Sequence, residues 1–271
     1  MGTSSRPAVD SAGFAARGRS RVTPMVFSAD SEKGGFVRLG FAGKARLRAR
    51  LAFVVGCSWM SGGALMSAQE ADRTVVTLPA VADESLGDLM DALRGRRSAR
   101  EFAAEPLTLR QVSLLLSAAQ GLTHPDGLRS VPSAGALYPL EVYLVAGMVE
   151  GLSPGVYRYR PARHDLVLQA TGDRRGPIAR VAVRQGWMAA AAATIVLAAD
   201  YGRTTPKYGE RGRRYVHIEV GHAGQNVAVV AAALGLGTVF VGAFDDERVR
   251  MTLEIPRAHH VLGLMPVGAP R

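Results

Sequence analysis

Pro132-Ser133-Ala134-Gly135-Ala136-Leu137-Tyr138-Pro139 runs directly into Leu140-Glu141-Val142-Tyr143-Leu144-Val145-Ala146. The second part reads as a strand over 141–146: it is short, apolar and rich in Val and Tyr. The first part is a turn of small residues. Gly135 permits dihedrals closed to other residues, and the two prolines stiffen the segment. Such a turn lets backbone approach a flat ligand closely, although taken alone it is equally an ordinary loop.

Outward from this stretch, helices and strands interleave. Leu86, Leu89, Met90 and Leu93 share one side of a helix over 84–94. Thr108 is placed to cap a helix that runs to about 119, with Gly121 just beyond it. The segments 155–160 and 165–169 read as a hairpin pair, 178–190 as a helix and 193–199 as a buried strand. A long helix covers 215–234; its second half is nearly all apolar and calls for burial in the core or in a subunit interface. A last strand spans 261–267. The class expected is α+β, a mixed or antiparallel central sheet flanked by helices.

The charge is unevenly distributed. The formal net charge is +10, but residues 1–50 hold ten Lys/Arg against three Asp/Glu, so only +3 falls on 51–271. A mildly basic body does not call for nucleic acid; an anionic small ligand suffices. From residue 51 to the end there are twenty-two arginines and a single lysine, Lys207, followed by Tyr208. Arginine stays protonated at any usable pH, whereas a lysine can exchange a proton. Cys57, the one cysteine, excludes an internal disulfide or a cysteine-based zinc site, and no histidine spacing suits a metal.

Residues 1–43 are rich in Gly, Ser, Ala and Arg and are expected to be disordered; Met25 is an alternative start. Residues 44–70 resemble an export signal: Lys44, Arg46, Arg48 and Arg50 precede an apolar run over 51–66, and Ser67 and Ala68 offer a cleavage site. Val54-Val55-Gly56-Cys57 resembles a lipobox, though ordinary cleavage fits the short apolar run better. A buried N-terminal helix is the alternative, with a cytoplasmic protein. An exported or lipid-anchored protein would touch a membrane only through this leader. The expected domain is 71–271.

Three further segments suggest chemistry. Arg96-Arg97-Ser98-Ala99-Arg100-Glu101-Phe102 sets three guanidiniums and a hydroxyl within five residues, which suits a phosphate dianion. Gly235-Leu236-Gly237 follows a helix rather than a strand, so it is no dinucleotide fingerprint but a helix stop, and Gly242 marks a crossing. Ser133 has no neighbouring base, and no G-x-S-x-G elbow occurs, which disfavours a hydrolase.

Taken with Gly221-His222-Ala223-Gly224-Gln225-Asn226 and Gly242-Ala243-Phe244, the 96–102 and 132–143 segments resemble the FMN-dependent nitroreductase superfamily. The closer likeness is to its SagB-type dehydrogenase branch, related to thiazoline and oxazoline oxidases. This resemblance implies a nitroreductase-like fold over about 84–270, a homodimer with FMN in its interface, and a dimer-core role for the long helix. Arg96, Arg97, Ser98 and Arg100 would hold the phosphate and ribityl groups. Pro132, Ser133, Ala134 and Gly135 would line the isoalloxazine, with Tyr138 nearby. Val241, Gly242 and Ala243 would meet it from the N5 side, and Arg271 would stand in for the basic C-terminal residues of related reductases. Lys207 and Tyr208 match the catalytic pair of the azoline-oxidising branch, and Arg211, Arg213 and Arg214, if close, would push Lys207 toward its neutral form. The expected activity is removal of a hydride and a proton from a small heterocycle or peptide-derived substrate. The alternatives are an NAD(P)H-dependent nitro or quinone reductase and a non-catalytic flavin-binding protein. Export would separate the protein from NAD(P)H, which weighs against the reductase.

Overall fold

The computed structural model describes residues 74–80 and 89–271. The expected disordered extension, the signal segment with Cys57, and the first turn of the 84–94 helix lie outside the described residues. Seven strands form one sheet: β1 (Val75–Thr77), β2 (Leu140–Ala146), β3 (Gly155–Arg160), β4 (Asp165–Thr171), β5 (Ala193–Ala199), β6 (Gly237–Thr238) and β7 (His260–Gly268). Their order is β1-β4-β3-β2-β5-β7-β6, and every ladder is antiparallel. The helices are α1 (Leu89–Gly95), α2 (Leu109–Gln120), α3 (Arg175–Val181), α4 (Thr205–Tyr208), α5 (Arg211–Ala233) and α6 (Asp246–Thr252).

All seven positions of β2 and of β5 are buried. The alternation of a strand then sends successive side chains into two different cores. Val142, Leu144, Ile195 and Leu197 pack with Val112, Leu115, Val216 and Val220 of α2 and α5. Tyr143, Val145 and Val196 pack on the other face with Ile178, Met188 and Val249. The result is an α+β fold with helices on both faces of a central sheet.

Local signals set the helix ends. Thr108 Oγ1 accepts the Gln111 N–H (3.2 Å) while Gln111 Oε1 accepts the Thr108 N–H (2.9 Å), a reciprocal cap at the start of α2. Thr108→Ala removes half of it and is expected to cost about 1 kcal/mol, a fall of roughly 2–4 °C in the thermal midpoint. Gly235 stops α5 with φ +69. Its N–H bonds to the Ala232 carbonyl and the Leu236 N–H to the Ala231 carbonyl, so the last turn of the helix is closed by backbone alone.

The helix expected over 178–190 is two pieces. α3 ends at Val181, and a 3-10 turn follows at Gly186–Ala190. Between them Val183 donates its N–H to the Ala243 carbonyl (3.0 Å), Ala182 pairs with Phe244, and Arg184 has φ +53. A tertiary backbone pairing outcompetes the helical bonds that apolar spacing alone predicts.

Candidate active site

Two of the clefts along α5 concern the site. The first, about 420 Å³, is lined by Arg96, Ser98 and Arg100, by Gly221, Gly224 and Gln225 of α5, and by Thr238, Val239 and Phe240. Beyond α1 the chain is extended, and Ser98 pairs in parallel with Thr238 of β6 while Ala99 donates to the Thr238 carbonyl (3.1 Å). Extended backbone turns alternate residues to one side, so 96, 98 and 100 share a wall. Arg97 is left out. Its Nη1 bonds the carbonyls of Arg94 (2.6 Å) and Arg96 (2.8 Å), and together with Arg96, which lines both, it lines a neighbouring cleft of about 320 Å³ with Ala228, Gly235 and Pro270.

The second cleft, about 250 Å³, is formed by Pro132, Ser133 and Ala134 against Tyr215, Ile218, Glu219 and His222 of α5. Its turn is unusual: Gly135, Ala136 and Tyr138 all have positive φ (64, 54 and 46). Such conformations cost energy in non-glycine residues and persist only where the surroundings hold them. Several bonds do so here. Ser133 Oγ accepts the Tyr138 N–H (2.9 Å), the Arg129 guanidinium stacks 4.5 Å from the Tyr138 ring centre, and Arg203 Nη1 donates to the Tyr138 carbonyl (2.9 Å).

Arg203 also ties in the segment that carries the lysine. It pairs with the buried Glu141, which Arg158 contacts at 2.9 Å from the other side. Burial pushes the Glu141 carboxyl up, but the two guanidiniums outweigh it and hold it below the usual range. The same segment is braced by Asp200, which accepts the Gly202 N–H (2.8 Å), and by Thr205, which donates to the Tyr201 carbonyl (3.0 Å). α4 is thereby laid over the 132–138 turn.

There Lys207 and Tyr208 meet Gly135. A methyl group added at Gly135 would lie 2.7 Å from Tyr208 Oη and 2.8 Å from Lys207 Nζ. Lys207 Nζ sits 5.4 Å from the Tyr208 ring centre, and Tyr208 makes an edge contact (5.2 Å) with Tyr215, which lines the second cleft. Arg213 is taken up by Glu210 (3.2 Å) and by the Tyr201 ring (4.7 Å). Gly135→Val would combine a disallowed φ with this collision. It is expected to cost about 1–3 kcal/mol in denaturant unfolding, with Gly135→Ala losing less.

Other predicted positions lie further off. Val241 is buried and bonded to Leu264 (2.8 and 3.0 Å), and Gly242 and Ala243 follow it on the surface, next to Val239 and Phe240 of the first cleft. Arg271 is exposed, its N–H on the Glu101 carbonyl (3.3 Å), beside Pro270. Among the described residues no group of three or more His, Cys, Asp or Glu could hold a metal.

One residue escaped the sequence reading. Glu219 is 2 % exposed and lies on the face of α5 that carries Val216, Val220 and Ala223 into the core. Burial raises its pKa from 4.5 to about 7, although Ser133, Arg129 and Gln120 pull the other way. A carboxylate at a core position of an apolar helix was the available signal.

The nitroreductase family model matches residues 93–269, which contain both clefts and the Lys207–Tyr208 pair. The chain belongs to the nitroreductase family. A relative from Methanocaldococcus jannaschii, MJ1384, described as a nitroreductase, is 46 % identical over 197 residues, 73 % of this chain and 97 % of that protein. The trifolitoxin operon protein TfxC of Rhizobium leguminosarum is 25 % identical over 182 residues, 61 % of this chain and 51 % of its own length. A crystal structure from Ralstonia eutropha, described as a nitroreductase, superposes with a TM-score of 0.64 at 27 % identity, covering 73 % of this chain and 90 % of that one. As a member of this family the chain is an oxidoreductase enzyme, and FMN is the family's usual cofactor.

Proposed function

We propose that this nitroreductase-family chain is an FMN-dependent dehydrogenase of the SagB type, acting as a homodimer on a small heterocycle or a peptide-derived substrate. The observation that carries the reading is the seating of Lys207 Nζ and Tyr208 Oη on the Gly135 turn. The residues present fit the cofactor. Arg96, Ser98 and Arg100 form a cationic wall with hydrogen-bond donors for a phosphate, and Gly221 leaves open space at which a ring can approach the helix backbone, while Phe240 packs against Gly224. When bound, FMN supplies hydride-accepting chemistry.

The chain's own residues do the rest. Arg96 and Arg100 fix the anionic end. The 132–135 turn presents a small, stiff surface to a planar group. Lys207 accepts the proton lost from substrate, and Tyr208, braced by Tyr215, orients that exchange. Ile218, Gly221, His222 and Gln225 form an exposed strip on α5 beside both clefts, the strip that a second copy would cover. TfxC, by its name a trifolitoxin operon protein, supports a substrate drawn from such an operon. Residues 44–70 are read as a leader, so the mature protein is expected outside the cytoplasm; the mass of its N-terminal peptide tests this.

MJ1384 supports a second reading, an NAD(P)H-dependent nitro or quinone reductase. One experiment separates the two. Purified protein is expected to be yellow, to stay oxidised with anaerobic NADH, and to bleach with an azoline-bearing peptide. Stoichiometric bleaching by NADH reverses the order. Arg96→Ala with Arg100→Ala should weaken FMN binding about 10- to 100-fold, read by flavin fluorescence.

A further inference from the structure

Glu219 sits behind the 132–135 turn, and no step above uses it. Its Oε1 is buried without a hydrogen bond, and so is Nε2 of Gln120. The Gln120 amide is oriented by its other end, which accepts from Arg129 Nη1 (2.7 Å). Ser133 lies against the carboxyl as well. Its Oγ already accepts the Tyr138 N–H (2.9 Å), so the hydroxyl proton is what remains to be given. An ionised Glu219 can accept from Ser133 and from Gln120 together. A protonated Glu219 turns one of those two acceptor oxygens into a donor, so it can no longer accept from Ser133 and from Gln120 through both oxygens, and its hold on the Ser133 hydroxyl weakens.

We infer that Glu219 is a positioning residue: as a carboxylate it holds Ser133, and through it the 132–135 turn, in the geometry that accepts a flavin, and as a neutral acid it releases that turn. The inference rests on the flavin reading of the cleft. The groups facing Glu219 are few. Arg129 favours its ionised form; Tyr215 and His222 line the same cleft from its own helix; Tyr138 lies beneath Arg129; Lys207 and Tyr208 lie beyond Gly135. Its pKa of about 7 puts the change of state within the physiological range.

Binding of FMN and of riboflavin, measured by fluorescence quenching from acid to alkaline pH, tests this. Riboflavin removes the titration of the FMN phosphate itself. Wild-type protein is expected to bind riboflavin about tenfold more tightly above the transition than below it, the gain of one charge-assisted hydrogen bond. Glu219→Gln should fold, bind at the weak level and show no step. Ser133→Ala should lose the step too, because Glu219 acts through that hydroxyl, and His222→Gln should keep it. A step that survives in Glu219→Gln, or disappears with His222→Gln, overturns the inference while leaving the flavin reading intact. Absence of any flavin binding by the wild-type protein overturns both.

Discussion

Lys207→Met in the flavin-loaded protein is expected to slow substrate-driven flavin reduction by about 10²- to 10⁴-fold, the usual contribution of a positioned proton acceptor. FMN affinity should be unchanged, since Lys207 lines neither the Arg96 cleft nor the Pro132 cleft. Methionine keeps a stem of the same length but loses the amine that reaches the Gly135 turn. Lys207→Arg should not rescue the rate, because a guanidinium does not give up its proton. Tyr208→Phe keeps the edge contact with Tyr215 and should lose less than Lys207→Met. The measurement is stopped-flow absorbance under anaerobic conditions with an azoline peptide. Equal rates in Lys207→Met and wild type would remove the lysine from the reaction.

Stability should fall as pH rises from about 4.5 to about 7, by up to about 3 kcal/mol, because Glu219 is paid for in its charged form. The sign follows from the direction of the shift. The folded-state pKa is raised from 4.5 to about 7, so between these values the folded chain holds a proton that the unfolded chain has lost. The stabilising proton is fully in place below about 4.5 and gone above about 7. His259 works in the opposite sense on the acid side: burial lowers its pKa, so protonation below its ordinary 6.5 disfavours the fold. The difference between wild type and Glu219→Gln in urea unfolding isolates the carboxyl. It should be near zero at pH 4 and favour the glutamine variant at pH 8; a pH-independent difference would show that the buried acid does not titrate.

Much of this was legible along the chain. The strands at 155–160 and 193–199 match the structure residue for residue; the second is buried on both sides, and such a run needs only local apolar character. Thr108, Gly121 and Gly235 mark helix ends for equally local reasons: a side-chain acceptor, a break, and a left-handed φ. Arg96, Ser98 and Arg100 could be grouped by spacing, but spacing also enrolled Arg97. Only the tertiary pairing with Thr238 keeps Arg97 out of the first cleft, while Arg96 lines both that cleft and the one beside it.

What the sequence by itself determined is therefore short-range: the elements, their caps, and the chemical types gathered at 96–100, 132–138 and 207–208. Tertiary structure decided which of these meet. The break between α3 and the 3-10 turn depends on a carbonyl sixty residues away, at Ala243. The meeting of Lys207 with Gly135 depends on Arg203, which reaches across to the Tyr138 carbonyl and to Glu141. The proton affinity of Glu219 depends on burial among residues from three segments. Backbone preference and side-chain type are properties of a residue and its neighbours in the chain. Contact, desolvation and charge pairing are properties of neighbours in space, which spacing along a chain does not encode.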